Sequence, residues 1–217
     1  MKAFLFIISA SIALAATPIA ADPQADPTPF WDTHSHFSIM TIEPKVSMSA
    51  NYTWSVPHNS EKMARSGNGG ACYPANPKTT AACTEITTQG SRWLTWPSTG
   101  DCCLCCSYAQ GCGPMKQDWV SANGKYVGQV SYNGVTADKW SVQGNSPNYW
   151  LQDATTGVPV ALLQNTGTPN AEVDNYDAST LNTGAVNGNE FAVPPACKAS
   201  NLCPGMCAFL RNLTKTE

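Results

Sequence analysis

The chain has 217 residues, a net charge of −3 at neutral pH and only 12% charged side chains. So little positive charge leaves no basic surface that could follow a phosphate backbone, which argues against nucleic acid as a partner. Ten cysteines point instead to an oxidising compartment, where disulfides form and persist.

The first 21 residues have the composition of a secretory signal peptide. Lys2 supplies a positive charge, an apolar run follows over residues 4–16, and Ile19-Ala20-Ala21 offers small residues for cleavage. A membrane anchor needs about 20 apolar residues, and Pro18 interrupts this run. We therefore expect a secreted or extracellular protein, or one in the lumen of the secretory or endolysosomal pathway, that does not span a membrane.

The mature chain divides into a short N-terminal segment and one domain. Residues 22–30 carry three prolines and predict an extended N-terminus. Over residues 31–217, apolar residues recur at every second position between breaks rich in Gly, Pro and Asn, which is typical of half-buried strands. The pattern predicts a single, mainly β domain.

Later strands show apolar residues on both faces. Strand-like alternation up to Tyr132 is followed by Asn133-Gly134, a dipeptide typical of tight hairpin turns. Further on, Tyr149 and Leu151 share one face while Trp150 occupies the other. A sheet covered on both sides accounts for this pattern. One face then lines a cavity for an apolar ligand, or the aromatic residues pack together in a filled core, and periodicity alone favours the filled core.

The cysteines cluster in the run Cys102-Cys103-Leu104-Cys105-Cys106. Its overlapping C-x-x-C pairs are compatible with a redox site or half of a zinc site, but no βαβ pattern or second half-site adjoins them. In a secreted chain the disulfide interpretation is favoured. Ten cysteines can form five bridges: Cys72, Cys83, Cys102, Cys103, Cys105, Cys106, Cys112, Cys197, Cys203 and Cys207.

Two N-glycosylation sequons occur, at Asn51-Tyr52-Thr53 and Asn212-Leu213-Thr214. Both predict surface positions on a glycoprotein of the secretory pathway.

Catalytic motifs are weak throughout. Asp32, His34 and His36 would form a row of metal ligands on one strand, but three ligands without a fourth make a poor zinc cage, and a solvated strand face is favoured. No G-x-S-x-G turn presents a nucleophile, and the cysteines are committed to disulfides. We therefore expect no catalytic residues, no bound metal and no cofactor.

Several short motifs, in this order, resemble ependymin-related secreted proteins and, more closely, a group of cysteine-rich secreted proteins from protists, algae and plants. They are Gly113-Pro114, Asp118-Trp119, Tyr126-Val127-Gly128, Lys139-Trp140, Asn148-Tyr149-Trp150, Gly157-Val158-Pro159-Val160, Tyr176-Asp177 and Phe191-Ala192-Val193-Pro194-Pro195-Ala196-Cys197. The resemblance implies the fold of bacterial lipoprotein carriers, including LolA: a strongly curved antiparallel sheet, half of a barrel, with a helix or loop plug. It also implies a hydrophobic cavity between sheet and plug.

These observations predict a secreted, non-catalytic protein that binds a lipid or another hydrophobic small molecule. The residues expected to line the cavity are Trp119, Tyr126, Tyr132, Trp140, Tyr149 and Leu151. An extracellular adhesion or carbohydrate-binding module with tryptophans stacked on sugars is the alternative, and a metal-dependent enzyme is the weaker one. Homodimerisation is left open, since secreted β-proteins often dimerise.

Overall fold

The computed structural model describes residues 26–44, 48–67, 72, 81–143, 147–167 and 171–213. The predicted signal peptide, the first residues of the extended N-terminus and Thr214 of the second sequon lie outside these ranges. Eleven strands form one sheet in the described part of the chain: β1 (His36–Glu43), β2 (Met48–Ser55), β3 (Ser60–Gly67), β4 (Thr84–Thr88), β5 (Ser91–Trp96), β6 (Asp101–Ser107), β7 (Gly124–Tyr132), β8 (Val135–Val142), β9 (Asn148–Asp153), β10 (Pro159–Gln164) and β11 (Glu172–Asn182).

Helices are few and short. Those that lie wholly within the described ranges are α1 (Phe30–Thr33), α2 (Trp119–Asn123), α3 (Met206–Leu213) and the 3-10 turns Tyr108–Gln110 and Gly188–Phe191. The mainly β fold class predicted from the alternating pattern is therefore confirmed. Residues 26–29 lie outside any helix or strand and Phe30 begins α1, so the extended N-terminus expected over residues 22–30 stays a prediction that does not include Phe30.

The sheet consists of two antiparallel meanders. Its strand order is β6-β5-β4-β3-β2-β1-β11-β10-β9-β8-β7, so β1 and β11 form the one pairing that joins the two halves. The chain must then pass from β6 at one edge of the sheet to β7 at the other. The connecting segment contains α2, which packs against both α1 and β7. This topology places the connection across one face of the sheet.

Local turn chemistry fixes the β7–β8 hairpin, as predicted. Asn133 and Gly134 both adopt positive φ, 48° and 81°, which a two-residue type I′ turn requires. A bulge between Tyr126 and Gly128 bends the edge strand β7. Bulges of this kind discourage pairing between exposed sheet edges.

The sheet is strongly curved, as the position of Trp31 shows. The ring of Trp31 lies 4.9 Å from that of Trp54 on β2 and 5.6 Å from that of Trp150 on β9. These strands are four positions apart, which in a flat sheet is about 19 Å. The two rings are no farther apart than the two measured distances added together, so the sheet wraps around α1. We call the face towards Trp31 the concave face and the opposite one the outer face.

Disulfides reinforce one end of the sheet. Three bridges tie β6 to the C-terminal segment, and two close shorter loops: Cys102–Cys197, Cys103–Cys203, Cys105–Cys207, Cys106–Cys112 and Cys72–Cys83. Leu104 also exchanges backbone hydrogen bonds with Asn201 and Cys203 at 2.8 and 2.9 Å. The C-terminal segment therefore covers the outer edge of β6. The predicted commitment of all ten cysteines to disulfides is confirmed.

Candidate ligand-binding site

Aromatic side chains converge on the concave face around Trp31. Phe37 and Trp54 are paired residues of β1 and β2, and Trp150 comes from β9. We define the aromatic cluster as the rings of Phe30, Trp31, Phe37, Tyr52, Trp54, Trp119, Trp150 and Tyr176. Trp31, Phe37, Trp54 and Trp150 are each at most 1% exposed. Edge-to-face pairs of this kind stabilise a core beyond the area they bury.

Two helices cover this cluster on the concave side of the sheet. We define the plug as α1, residues 113–118 and α2. The backbone N–H of Phe30 donates to Oε1 of Gln152 at 2.7 Å, and the amide of Gln152 donates to the carbonyl of Thr28 at 3.0 Å. Indole Nε1 of Trp54 donates to the carbonyl of Met115 at 2.7 Å. The plug thus rests on the sheet through ring packing and a few hydrogen bonds.

The buried carboxylate of Glu61 on β3 is a further anchor for the plug. It accepts hydrogen bonds from the Tyr52 hydroxyl at 2.9 Å and from the Met115 backbone N–H at 3.1 Å. Arg92 pairs with Glu61 at 3.2 Å and with Glu85 at 3.1 Å. Burial raises the pKa of Glu61, and the neighbouring Arg92 opposes that rise.

A second part of the concave face is polar and ionisable. Thr41 pairs with Tyr176 across β1 and β11, and its buried hydroxyl has no hydrogen-bond partner among the described residues. Burial raises the pKa of Glu43 to about 7, and the charge of Arg65 opposes this shift. Burial also raises the pKa of Asp174. The concave face therefore combines an aromatic part with a part that carries ionisable groups.

The six residues predicted to line one cavity lie on both faces of the sheet. Three of them, Trp119, Tyr126 and Trp140, lie on the concave side. Trp119 contacts Trp31, and Tyr126 packs on Trp140 with ring centroids 5.4 Å apart. The other three, Tyr132, Tyr149 and Leu151, belong to a separate cluster on the outer face.

The outer-face cluster is covered by the tip of the β7–β8 hairpin. Tyr132 reaches across the sheet, and its hydroxyl donates to Asn175 of β11 at 2.8 Å. Leu151 is completely buried, and the Lys139 ammonium lies 3.8 Å from the ring centroid of Tyr149. These three residues stabilise the hairpin on the sheet.

Sequence reasoning missed the central residues of the concave site. Trp31, Phe37, Trp54 and Trp150 were not among the expected wall residues. Phe37 and Trp54 stand on the buried faces of β1 and β2, a signal that the alternating pattern carries. The position of Trp31 depends on the plug, which no periodicity indicates.

A groove of about 450 Å³ lies on the outer face and was not predicted. Its floor is formed by β1 and β2, and its wall by residues 184–187, which follow β11. Polar side chains predominate in its lining: Ser38, Asn51, Thr53, Thr180, Asn182, Asn187 and Glu190.

The three residues weighed as weak metal-ligand candidates do not share one strand face. Asp32 lies in α1, His34 follows this helix, and only His36 lies on β1, because a short helix replaces the strand expected there. In the described ranges, the one group of three clustered metal-ligating side chains is Cys105, Cys106 and Cys112. All three sulfurs are engaged in disulfides.

No protein-family model and no curated protein sequence matches the chain. The resemblance to ependymin-related proteins therefore remains a prediction. Within the described residues, no helix is long and apolar enough to cross a membrane.

Several solved structures are similar to this chain. An uncharacterised conserved protein from Thermus thermophilus matches with a TM-score of 0.50 at 8% identity, over 77% of this chain and 92% of that one. MucB, in the MucA/MucB complex of Pseudomonas aeruginosa, matches with a TM-score of 0.41 at 14% identity, over 78% of this chain and 59% of that one. A LolA-superfamily protein from Nitrosomonas europaea gives 0.35 at 7%, over 74% and 90%. The first match concerns the fold alone, and the chain spans about three fifths of the MucB chain.

Proposed function

We propose that this protein is a secreted, non-catalytic binding protein that holds a lipid or another hydrophobic molecule on the concave face of its sheet. The observation that carries the proposal is the aromatic cluster, in which rings from the sheet meet rings from the plug on that face. Each buried methylene group of an acyl chain contributes about 0.8 kcal/mol, so several rings provide useful affinity without a specific polar motif.

The plug is the part of the molecule that a ligand would displace. No cysteine lies in α1 or between residues 113 and 196, so no disulfide lies within the plug or within strands β7–β11. A cavity of about 290 Å³ already opens where residues 114–118 meet the end of β2. Outward movement of the plug would extend this cavity over the aromatic cluster while the disulfide-bonded half of the sheet keeps its shape.

An amphiphilic ligand suits the concave face better than a pure hydrocarbon. Thr41, Glu43, Arg65 and Asp174 supply polar groups beside the aromatic cluster. A lipid could place its chain among the rings and its head group near these side chains. Five disulfides support an oxidising compartment, and with the predicted signal peptide they favour secretion.

The carbohydrate-binding alternative requires tryptophans at the surface. Five of the seven tryptophans are at most 3% exposed, which disfavours stacking on sugar rings: Trp31, Trp54, Trp96, Trp140 and Trp150.

The test is native mass spectrometry of the protein secreted by eukaryotic cells, followed by solvent extraction and lipid analysis. We expect a bound hydrophobic molecule that is released on denaturation. In titrations with a fluorescent fatty acid, Trp140→Ala should weaken binding, whereas Tyr149→Ala, on the outer face, should not. A ligand-free mass together with no uptake of the fatty acid by the folded protein contradicts the proposal.

A further inference from the structure

The groove on the outer face is formed by a strap that crosses the sheet. We define the strap as residues 183–191, which run from the end of β11 to the buried ring of Phe191. His58 Nε2 lies 3.0 Å from the Val186 carbonyl, and Lys62 pairs with Glu190 at 3.2 Å. The strap is held to the sheet at these points, and the groove lies between it and strands β1 and β2.

Asn51 lines this groove from the middle of β2. It is exposed although its strand pairs on both sides, with Met40 of β1 and Ala64 of β3 opposite it. The Asn51 side chain makes no hydrogen bond within the described part of the chain. Its sequon partner Thr53 is the next residue on the same face and lines the same groove.

The order of synthesis makes a glycan at this position compatible with the strap. N-glycosylation uses the extended sequon of a chain entering the secretory pathway, and Asn51 enters well before residues 183–191 are made. The sheet and strap would then fold with a glycan already attached to Asn51. The strap must accommodate the first sugar or be displaced by it.

We propose that Asn51 is N-glycosylated and that the first N-acetylglucosamine residues of its glycan occupy the groove between strap and sheet. The groove volume of about 450 Å³ lies in the range of about 300–1,000 Å³ in which proteins hold small ligands. Its lining has the chemistry that a sugar needs, because Ser38, Thr53 and Asn187 offer polar groups, and Met40 and Val186 offer apolar contact. The glycan thus acts as a covalently tethered ligand that fixes the strap.

Hydrogen exchange of the strap tests this proposal in the full-length protein secreted by eukaryotic cells. Peptide mass mapping first establishes whether Asn51 carries a glycan. Strap peptides should exchange about tenfold more slowly in the wild type than in Asn51→Gln, which corresponds to one or two hydrogen bonds of ordinary net strength. Trimming the glycan to a single N-acetylglucosamine should retain most of this protection.

Two control variants isolate the groove. Thr53→Ser keeps the sequon, and should keep both the glycan and the slow exchange. Asn212→Gln removes the other sequon, whose Asn212 lies on α3, and should leave the strap unchanged. An unmodified Asn51, or equal strap exchange in the wild type and Asn51→Gln, overturns the proposal.

An added disaccharide distinguishes the protein's own glycan from an external sugar. Free chitobiose should restore slow exchange to Asn51→Gln and have no effect on the glycosylated wild type. If the wild type carries no glycan and chitobiose slows its strap, the groove is a site for external sugars and the proposal is overturned. Lipid binding on the concave face is measured separately, so its failure leaves this test intact.

Discussion

Replacing Trp31 by alanine is the most direct test of the closed concave face. The Trp31 ring contacts five other rings at centroid distances between 4.8 and 6.2 Å, and it is 1% exposed. Core Trp→Ala substitutions cost about 3–5 kcal/mol, because the lost transfer free energy is added to the energy of the cavity left behind. We expect a loss of about 4 kcal/mol for Trp31→Ala, because rings from strands far apart in the sheet cannot all move inwards.

Urea unfolding monitored by circular dichroism measures this loss of stability. Titration with a fluorescent fatty acid measures whether the opened site binds a hydrophobic ligand. Trp31→Ala should bind the fatty acid more tightly than the wild type, because a plug without its central ring is easier to displace. Trp93→Ala is the matched control, since Trp93 is a half-buried residue of β5 outside the aromatic cluster. It should cost far less stability and leave fatty-acid uptake unchanged.

The reasoning would be refuted by a loss below about 1 kcal/mol for Trp31→Ala, which is the typical effect of an average substitution. Equal effects of Trp31→Ala and Trp93→Ala would also refute it. Either result would mean that the plug is not held by the aromatic cluster.

Three further predictions concern the ionisable groups and the disulfides. The pKa of Glu43 is raised to about 7, so its contribution to stability is fully present below pH 4.5 and is lost as the pH rises through 7. The free energy of unfolding in urea should therefore differ between pH 5 and pH 8, and Glu43→Gln should reduce this difference by about 1 kcal/mol. This value allows for solvent screening of the half-buried carboxyl group. Glu61→Gln should cost about 2 kcal/mol in the same assay, because residue 61 loses its charge and its ion pair with Arg92. Arg92 keeps Glu85 as a partner, so it is not left unpaired. An unchanged unfolding midpoint would exclude Glu61 as an anchor of the plug. Replacing Cys103 and Cys203 by serine should cost about 2 kcal/mol. A single disulfide closing an isolated 100-residue loop contributes roughly 4.7 kcal/mol, but here two neighbouring bridges already close nearly the same loop. A loss of the full 4.7 kcal/mol would show that the three bridges act independently.

Local chemistry made part of the architecture predictable. Alternating apolar residues indicated a mainly β fold, and Asn133-Gly134 indicated the β7–β8 hairpin, because both signals depend on residues close together in the chain. The number and context of the cysteines indicated disulfides. Their partners were not predictable, since Cys102 and Cys197 meet only when the C-terminal segment reaches β6.

Strand register explains why the predicted cavity wall was divided between two faces. Trp140 and Tyr149 were expected to act together, but Trp140 pairs with Trp150, and Tyr149 pairs with Ser141. Side chains alternate along a strand, so a difference of one residue in register places Tyr149 on the opposite face. Periodicity defines two faces for each strand but does not say which faces of neighbouring strands coincide.

The sequence by itself determined a disulfide-bonded, mainly β protein with several strands that are apolar on both faces. These properties follow from residue composition and local periodicity. Only the tertiary structure decided that Trp31 fills the concave face, that Glu61 holds the plug, and that the strap covers a groove beside Asn51. Each of these depends on contacts between residues distant in the chain. The first two form because the sheet curves and the connection from β6 to β7 crosses its concave side, and the third forms because residues 183–191 pass over the outer face.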